Sequence, residues 1–330
     1  MMSRAHLYRA SYPVSELPAI ESWERGVEAA RRAIRLAPDR GAGYVALGQA
    51  FATRGQRDAA LEQFRLAEEL EPGSAEVLHN QGVLYTERGE LLQALDKLEQ
   101  AVAVEPGDPN VWNSLATVHA RLGDYRDAEA AYRRAFEQIA PHPERLQCML
   151  LLLALTQRDR AKAENIMNHY RSMVQGPTFG TNCIIMYDIL NRDFDSAARL
   201  IEEHQAFVVE LWPFTAAIGL SLAGRPAEAA IEAAEESIER AVPRGSEGWR
   251  LFQRARLASL RGEYESALQL LERAHEVGFW PSATQFSLSP VWDPVRDDPR
   301  FRAIETELET RLEEMRAELA ARRASRTRAQ

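Results

Sequence analysis

The sequence predicts an all-α fold, a right-handed α-solenoid of stacked helix pairs with a C-terminal capping helix. Three observations point there. Large, small and helix-stopping residues return at a spacing of 34. The first row is Tyr44, Leu47, Gly48, Phe51, Gly55, Ala60, Phe64, Ala67 and Pro72. The second is Leu78, Gln81, Gly82, Tyr85, Gly89, Ala94, Leu98, Ala101 and Pro106. The third is Trp112, Leu115, Ala116, His119, Gly123, Ala128, Tyr132, Ala135 and Ala140, with Pro141 one place late. A fixed period of this length marks a chain built from one supersecondary unit that buries its apolar face only by stacking on its neighbours. Within each period the apolar residues fall at helical spacing, and near the C-terminus a last apolar stripe repeats every three or four residues.

Residues 1–40 read as an irregular N-terminus followed by a degenerate half-repeat. Trp23, Gly26, Ala30, Ala33 and Pro38 match the second helix of a unit, whereas Pro13 and Pro18 make a helix before it poor. Residues 41–140 hold three clear units. In the first, helix A is expected from about Gly43 to Arg54, with Tyr44, Leu47 and Phe51 on one face. Gly48 lets the facing helix approach, and Gly55 ends helix A in a left-handed conformation. Asp58 is placed to cap helix B, whose Ala60, Phe64 and Ala67 face helix A until Pro72 stops it.

Residues 141–278 read as four degenerate pairs, at roughly 144–175, 179–209, 213–242 and 247–278. Their anchors are Ala163 with Met167, Ala197 with Ile201, Ala229 with Ala233, and Ala267 with Leu271. The run from Cys148 to Leu155 is apolar nearly all round, as suits a helix buried on two sides. Residues 279–299 form a loop rich in proline and aromatic residues. Asp298 as N-cap and Pro299 at the first helical position open a final helix over 300–320. Its apolar positions are Phe301, Ile304, Leu308, Leu312, Met315 and Leu319, with the first two docking on the last pair. Residues 321–330 read as a frayed, basic, disordered tail.

Bulk properties narrow the function. Hydrophobic content of 45% supplies a continuous core, and a net charge of −9 argues against nucleic acid as a partner. No apolar run of the length that crosses a membrane is present, so no membrane insertion is expected. The N-terminus lacks the apolar stretch of a signal peptide. Cys148 and Cys183 give no disulfide framework and no metal spacing, and read as inert small core residues of a reduced, cytoplasmic protein. The histidines are scattered, and His119, at an aromatic core position, reads as packed; no metal or cofactor is expected. Trp212, Trp249, Trp280 and Trp292 lie late, where they fill irregular packing and seal the end of the array.

Residues 41–140 resemble tetratricopeptide repeats. The stretch from Tyr264 through Ala274, with Pro290 to Phe301, is similar to the end of the repeat region of bacterial signalling proteins that carry a cyclase, kinase or winged-helix domain. The first resemblance implies a concave groove lined by the A helices. By the family pattern its positions are Val45, Gln49 and Thr53, then His79, Asn80, Val83 and Glu87, then Asn110, Asn113, Thr117 and Arg121. Amide side chains there suit a bound strand's backbone. Only Asn80 matches the residues that capture a C-terminal carboxylate, so a clamp for chaperone tails is not expected. The chain therefore reads as a non-catalytic scaffold, not an enzyme, binding a peptide or helix of a partner protein. The alternative is a sensory or regulatory module whose output domain is missing or on another chain. Two readings stand for the final helix: a solvating cap docked on the 247–278 pair, or a homodimer formed through Leu312, Met315 and Leu319 where they project beyond it.

Overall fold

A computed structural model of the chain describes residues 19–174, 176–240 and 247–329. Every regular element among them is helical. The half-repeat is one helix, α1 (Ala19–Leu36). The period-34 region folds as α2 (Gly41–Thr53) with α3 (Arg57–Leu70), α4 (Ala75–Glu87) with α5 (Leu91–Val104), and α6 (Pro109–Leu122) with α7 (Tyr125–Arg133). The pairs α8 (Pro143–Thr156) with α9 (Arg160–Met173) and α10 (Phe179–Leu190) with α11 (Phe194–Glu203) follow. A short α12 (Gln205–Leu211) turns sharply into α13 (Pro213–Leu222), which pairs with α14 (Glu228–Arg240). The last pair is α15 (Glu247–Leu260) with α16 (Tyr264–Glu276), and α17 (Pro299–Ala329) ends the chain. Helices pack on their successors through the array, α9 meeting α10 through side chains such as Met167, Tyr170, Cys183 and Ile184, so the architecture is a solenoid of helix pairs.

The repeated small residues permit this stacking. A Cβ on Gly48 would stand 2.6 Å from Phe64 Cε1, and one on Gly82 would stand 2.6 Å from Leu98 Cγ. Any larger residue would push the two helices of its pair apart. Gly55 takes a left-handed φ of 68° just past the end of α2. Asp58 does not cap α3: the helix starts at Arg57, and Asp58 instead pairs with Arg88 of the next unit at 2.6 Å. After α7 the chain continues as a π-helical turn, Arg134–Ile139. That wider turn holds an extra residue, which accounts for Pro141 arriving one place late.

Three expectations are corrected. Cys148 and Cys183 are not inert thiols. They form a disulfide joining α8 to α10, with Cα atoms 6.0 Å apart. Residues 279–298 do more than loop. Phe286 stacks on Phe301 at 4.5 Å, and Trp292, fully buried, sits 5.7 Å from Phe252 and donates from Nε1 to the Gln285 carbonyl. A 3-10 turn, Pro290–Val295, carries that tryptophan, so the segment is a plug in the C-terminal core.

The third correction concerns α17. Asp298 does accept from the Arg300 amide as a cap, and Phe301, Ile304 and Leu308 are buried in the C-terminal core. The helix then continues well beyond 320 and crosses to the second and third repeats. Leu319 is buried in the cluster that holds Leu91, Leu92, Leu95 and Leu122, with Leu312 and Met315 packed against it. Arg316 Nε donates to the Leu122 carbonyl at 2.6 Å. Arg322 pairs with Asp96 at 2.9 Å, and Arg323 with Asp124 and Asp127 at 2.8 and 2.9 Å. These contacts hold residues 321–323 in a helix where a disordered tail was expected. They also cover, with the chain's own repeats, the apolar face on which the homodimer reading rests.

Candidate functional site

Because α17 spans from the last pair back to the second and third repeats, the array encloses space. A cavity of about 1010 Å³ lies between the repeat helices and this C-terminal arm. Four successive A helices reach it: Ala52 from α2, Glu87 from α4, Thr117, Ala120 and Arg121 from α6, and Met149, Leu152, Leu153 and Thr156 from α8. Tyr125 and Tyr132 of α7 join them. The facing wall comes from residues 279–288 and, on α17, from Glu305, Leu308, Glu309, Leu312, Glu313 and Arg316. Helix A residues recurring every period on one face supply the first wall, as the pattern implies.

The two walls are joined at Trp280 and Arg121. Gly89 has a φ of 74°, and a Cβ there would stand 2.5 Å from Trp280 Cε3, so the indole lies directly on the turn of the second repeat. Arg311 covers the ring, its guanidinium carbon 4.8 Å from the centroid. Arg121 donates from one guanidinium nitrogen to the Thr86 carbonyl at 2.8 Å and from the other to the Trp280 carbonyl at 2.9 Å. Burial lowers its pKa to about 10, with Glu87 opposing the shift. It remains charged at neutral pH, and its Nε has no partner.

Of the eleven groove positions read from the sequence, the cavity takes Glu87, Thr117 and Arg121. Val45 is a correction: it is 6% exposed and belongs to the core with Ala60, Leu61 and Phe64. Gln49 is exposed and donates to Glu76, while Thr53 Oγ1 donates to the Ala50 carbonyl of its own helix. His79 bonds Ser114 Oγ at 2.9 Å, and burial lowers its pKa against the pull of Asp108. Asn80 is half-buried with Nδ2 unpartnered. Val83 and Asn113 are half-buried, and exposed Asn110 donates from Nδ2 to Asp108, the N-cap of α6. The cavity draws mainly on the C-terminal halves of the A helices, whereas most of the expected residues lie before the last turn of theirs. Trp249 and Trp280 line it, while Trp292 is the end seal foreseen for the late tryptophans. Residues 279–288 were missed as a wall; their aromatic bias was the available signal.

His119, Asp124 and Asp127 bring potential ligand atoms within 4.8 Å of one another. The Arg323 guanidinium already bridges both carboxylates, and His119 is buried as expected of a core residue.

The sequence profile described as tetratricopeptide repeat matches residues 19–75 and 79–143. No curated protein matches the chain. Among solved structures, yeast Tom70 is similar at 16% identity over 87% of this chain and 62% of its own, with a TM-score of 0.51. That likeness concerns the fold. A tetratricopeptide repeat protein from Parabacteroides merdae is 17% identical over 87% of this chain and 97% of its own, with a TM-score of 0.45. MamA is 20% identical over 44% of this chain and 85% of its own, with a TM-score of 0.40. Residues 19–75 and 79–143 thus carry the tetratricopeptide repeat pattern, and similar helix pairs continue beyond them.

Proposed function

We propose that the chain is a non-catalytic scaffold that holds a segment of a partner protein in the cavity between its A helices and its C-terminal arm. Tetratricopeptide domains in general serve protein–protein interaction. The observation that carries the reading here is the cavity itself. About 1010 Å³ is room for several residues of an extended chain, and helices from four units contribute to it. Its lining combines apolar surface from Met149, Leu152 and Leu153 with charged groups such as Arg121 and Glu309, as a peptide with both backbone and side chains requires. The test is site-specific photo-cross-linking. A photoreactive residue at Thr117 should capture a partner that one at exposed Ala103, on the outside of α5, does not. Filling the cavity with Ala120→Trp should abolish that capture. Equal capture from both positions, or capture untouched by Ala120→Trp, would refute the reading.

A further inference from the structure

We propose that Ser325 is a phosphorylation site whose modification releases the C-terminal arm from the repeats. The proposal concerns the latch of α17 and stands whether or not the cavity holds a peptide. Its first support lies in the sequence. The chain has three arginine doublets: Arg31 with Arg32, Arg133 with Arg134, and Arg322 with Arg323. Only the last has a hydroxyl residue two places on, giving Arg322-Arg323-Ala324-Ser325. Serine kinases with acidic clefts select a serine by arginines two and three residues before it, because each guanidinium pairs with a carboxylate of the cleft. Ser325 is exposed, and its hydroxyl donates to the Arg322 carbonyl of its own helix at 2.8 Å.

The second support is geometric. The two arginines that such a kinase reads are the ones that tie the arm down. Arg322 bonds Asp96 at 2.9 Å, and Arg323 bonds Asp124 and Asp127 at 2.8 and 2.9 Å. They cannot serve the kinase and the repeats at once, so the kinase takes the arm when it has undocked. Undocking is within reach of local fluctuation, because beyond Leu319 the tip is held by partly exposed ion pairs that contribute little each.

Phosphate then opposes the return. Ser325 Oγ attacks the γ-phosphorus of ATP as the bond to the bridging oxygen breaks; ADP leaves, and the hydroxyl proton passes to the kinase's catalytic carboxylate. The product carries close to two negative charges at neutral pH. Three residues on from Arg322, Ser325 lies about 60° from it around the helix axis. There the phosphate competes with Asp96 for the Arg322 guanidinium, which Glu318 already shares at 2.7 Å. It also brings like charge to a landing place where Asp96, Asp124 and Asp127 face two arginines. Release uncovers Leu319 and parts Arg316 from the Leu122 carbonyl, which frees one wall of the cavity.

The test uses the full chain with phosphoserine built in at position 325 during translation, beside the unmodified chain. Amide hydrogen exchange over residues 312–323 should run about tenfold faster in the phosphoserine chain. Exchange over 301–308 should hold, and phosphatase treatment should restore the unmodified rates. Salt at about 0.5 M should narrow the difference. Separately, an arginine-directed serine kinase with ATP should place phosphate on Ser325, located by mass spectrometry, and leave that peptide unmodified in Ser325→Ala. Leu319→Ala, which loosens the arm, should be phosphorylated about tenfold faster than the parent chain. Unchanged or slower exchange in the phosphoserine chain would overturn the proposal. So would a Leu319→Ala chain that the kinase leaves untouched at Ser325 or modifies no faster than the parent.

Discussion

Leu319→Ala tests the docking of the C-terminal arm. Leu319 is 8% exposed in the cluster with Leu91, Leu92, Leu95 and Leu122. Burying a leucine is worth about 2 kcal/mol, and half-buried Leu312 and Met315 add about 1 kcal/mol each. The exposed pairs of Arg322 and Arg323 contribute at most about 1 kcal/mol each. The arm is thus held by a few kcal/mol, of which Leu319 supplies a large share. Its truncation should make local opening of residues 312–325 about 30-fold more frequent, at about 1.4 kcal/mol per tenfold. Amide hydrogen exchange reads this directly. Protection should fall over the distal part of α17 and in the turn around Leu122, which loses its cover from Arg316. Protection near Phe301 and Ile304, anchored in the other core, should hold. Unchanged protection at 312–325, or a uniform loss over the whole chain, would refute the view that the arm docks as a separate unit through this residue.

Three further outcomes follow from the packing. Gly89→Val forces a branched side chain into a left-handed turn and against Trp280, and should cost about 2–4 kcal/mol, read as a lower urea midpoint. Reducing Cys148–Cys183 releases a cross-link of sequence separation 35 and should lower stability by about 4 kcal/mol in the loop-entropy account, seen as a drop in Tm on adding dithiothreitol. Arg171→Met removes the ion-pair partner of Asp188, whose side chain is 2% exposed and whose pKa is raised chiefly by burial. A carboxyl with a raised native pKa is penalised as pH rises through the ordinary carboxylate range and up to that native value. The variant should therefore lose about 3 kcal/mol at neutral pH and regain much of it on acidification, which urea unfolding at a series of pH values measures.

The period was legible because it encodes contacts local in sequence. Gly48 against Phe64 and Gly82 against Leu98 are the same contact one unit apart, so one alignment of the chain on itself reveals both. The late Pro141 carried information too, since the π-helical turn before it absorbs the extra residue. The disulfide left a trace that composition alone hides. A separation of 35, close to one period, places both cysteines on A helices of adjacent units at similar heights. The destination of α17 left little trace, because its partners lie some 200 residues away and no local period relates them. The basic run at Arg322 and Arg323 and the acids Asp96, Asp124 and Asp127 were visible separately, but nothing in the sequence joins them. The groove was legible as a face rather than as a set of residues. Closure by the arm selects the C-terminal halves of the A helices, and curvature of that kind is set by the whole stack.

The return of α17 to the second and third repeats also changes what lengths the chain can tolerate. A linear array can gain or lose a unit with only nearest-neighbour consequences. Here the bond from Arg316 to Leu122 bridges 194 residues and that from Arg322 to Asp96 bridges 226, which turns a row into a ring. Adding one unit between α7 and α15 would carry the root of the arm away from its landing place and strand Leu319 in water. An inserted unit across this span therefore costs the contacts of Arg316, Leu319 and Arg322 together, a penalty that a linear solenoid does not carry.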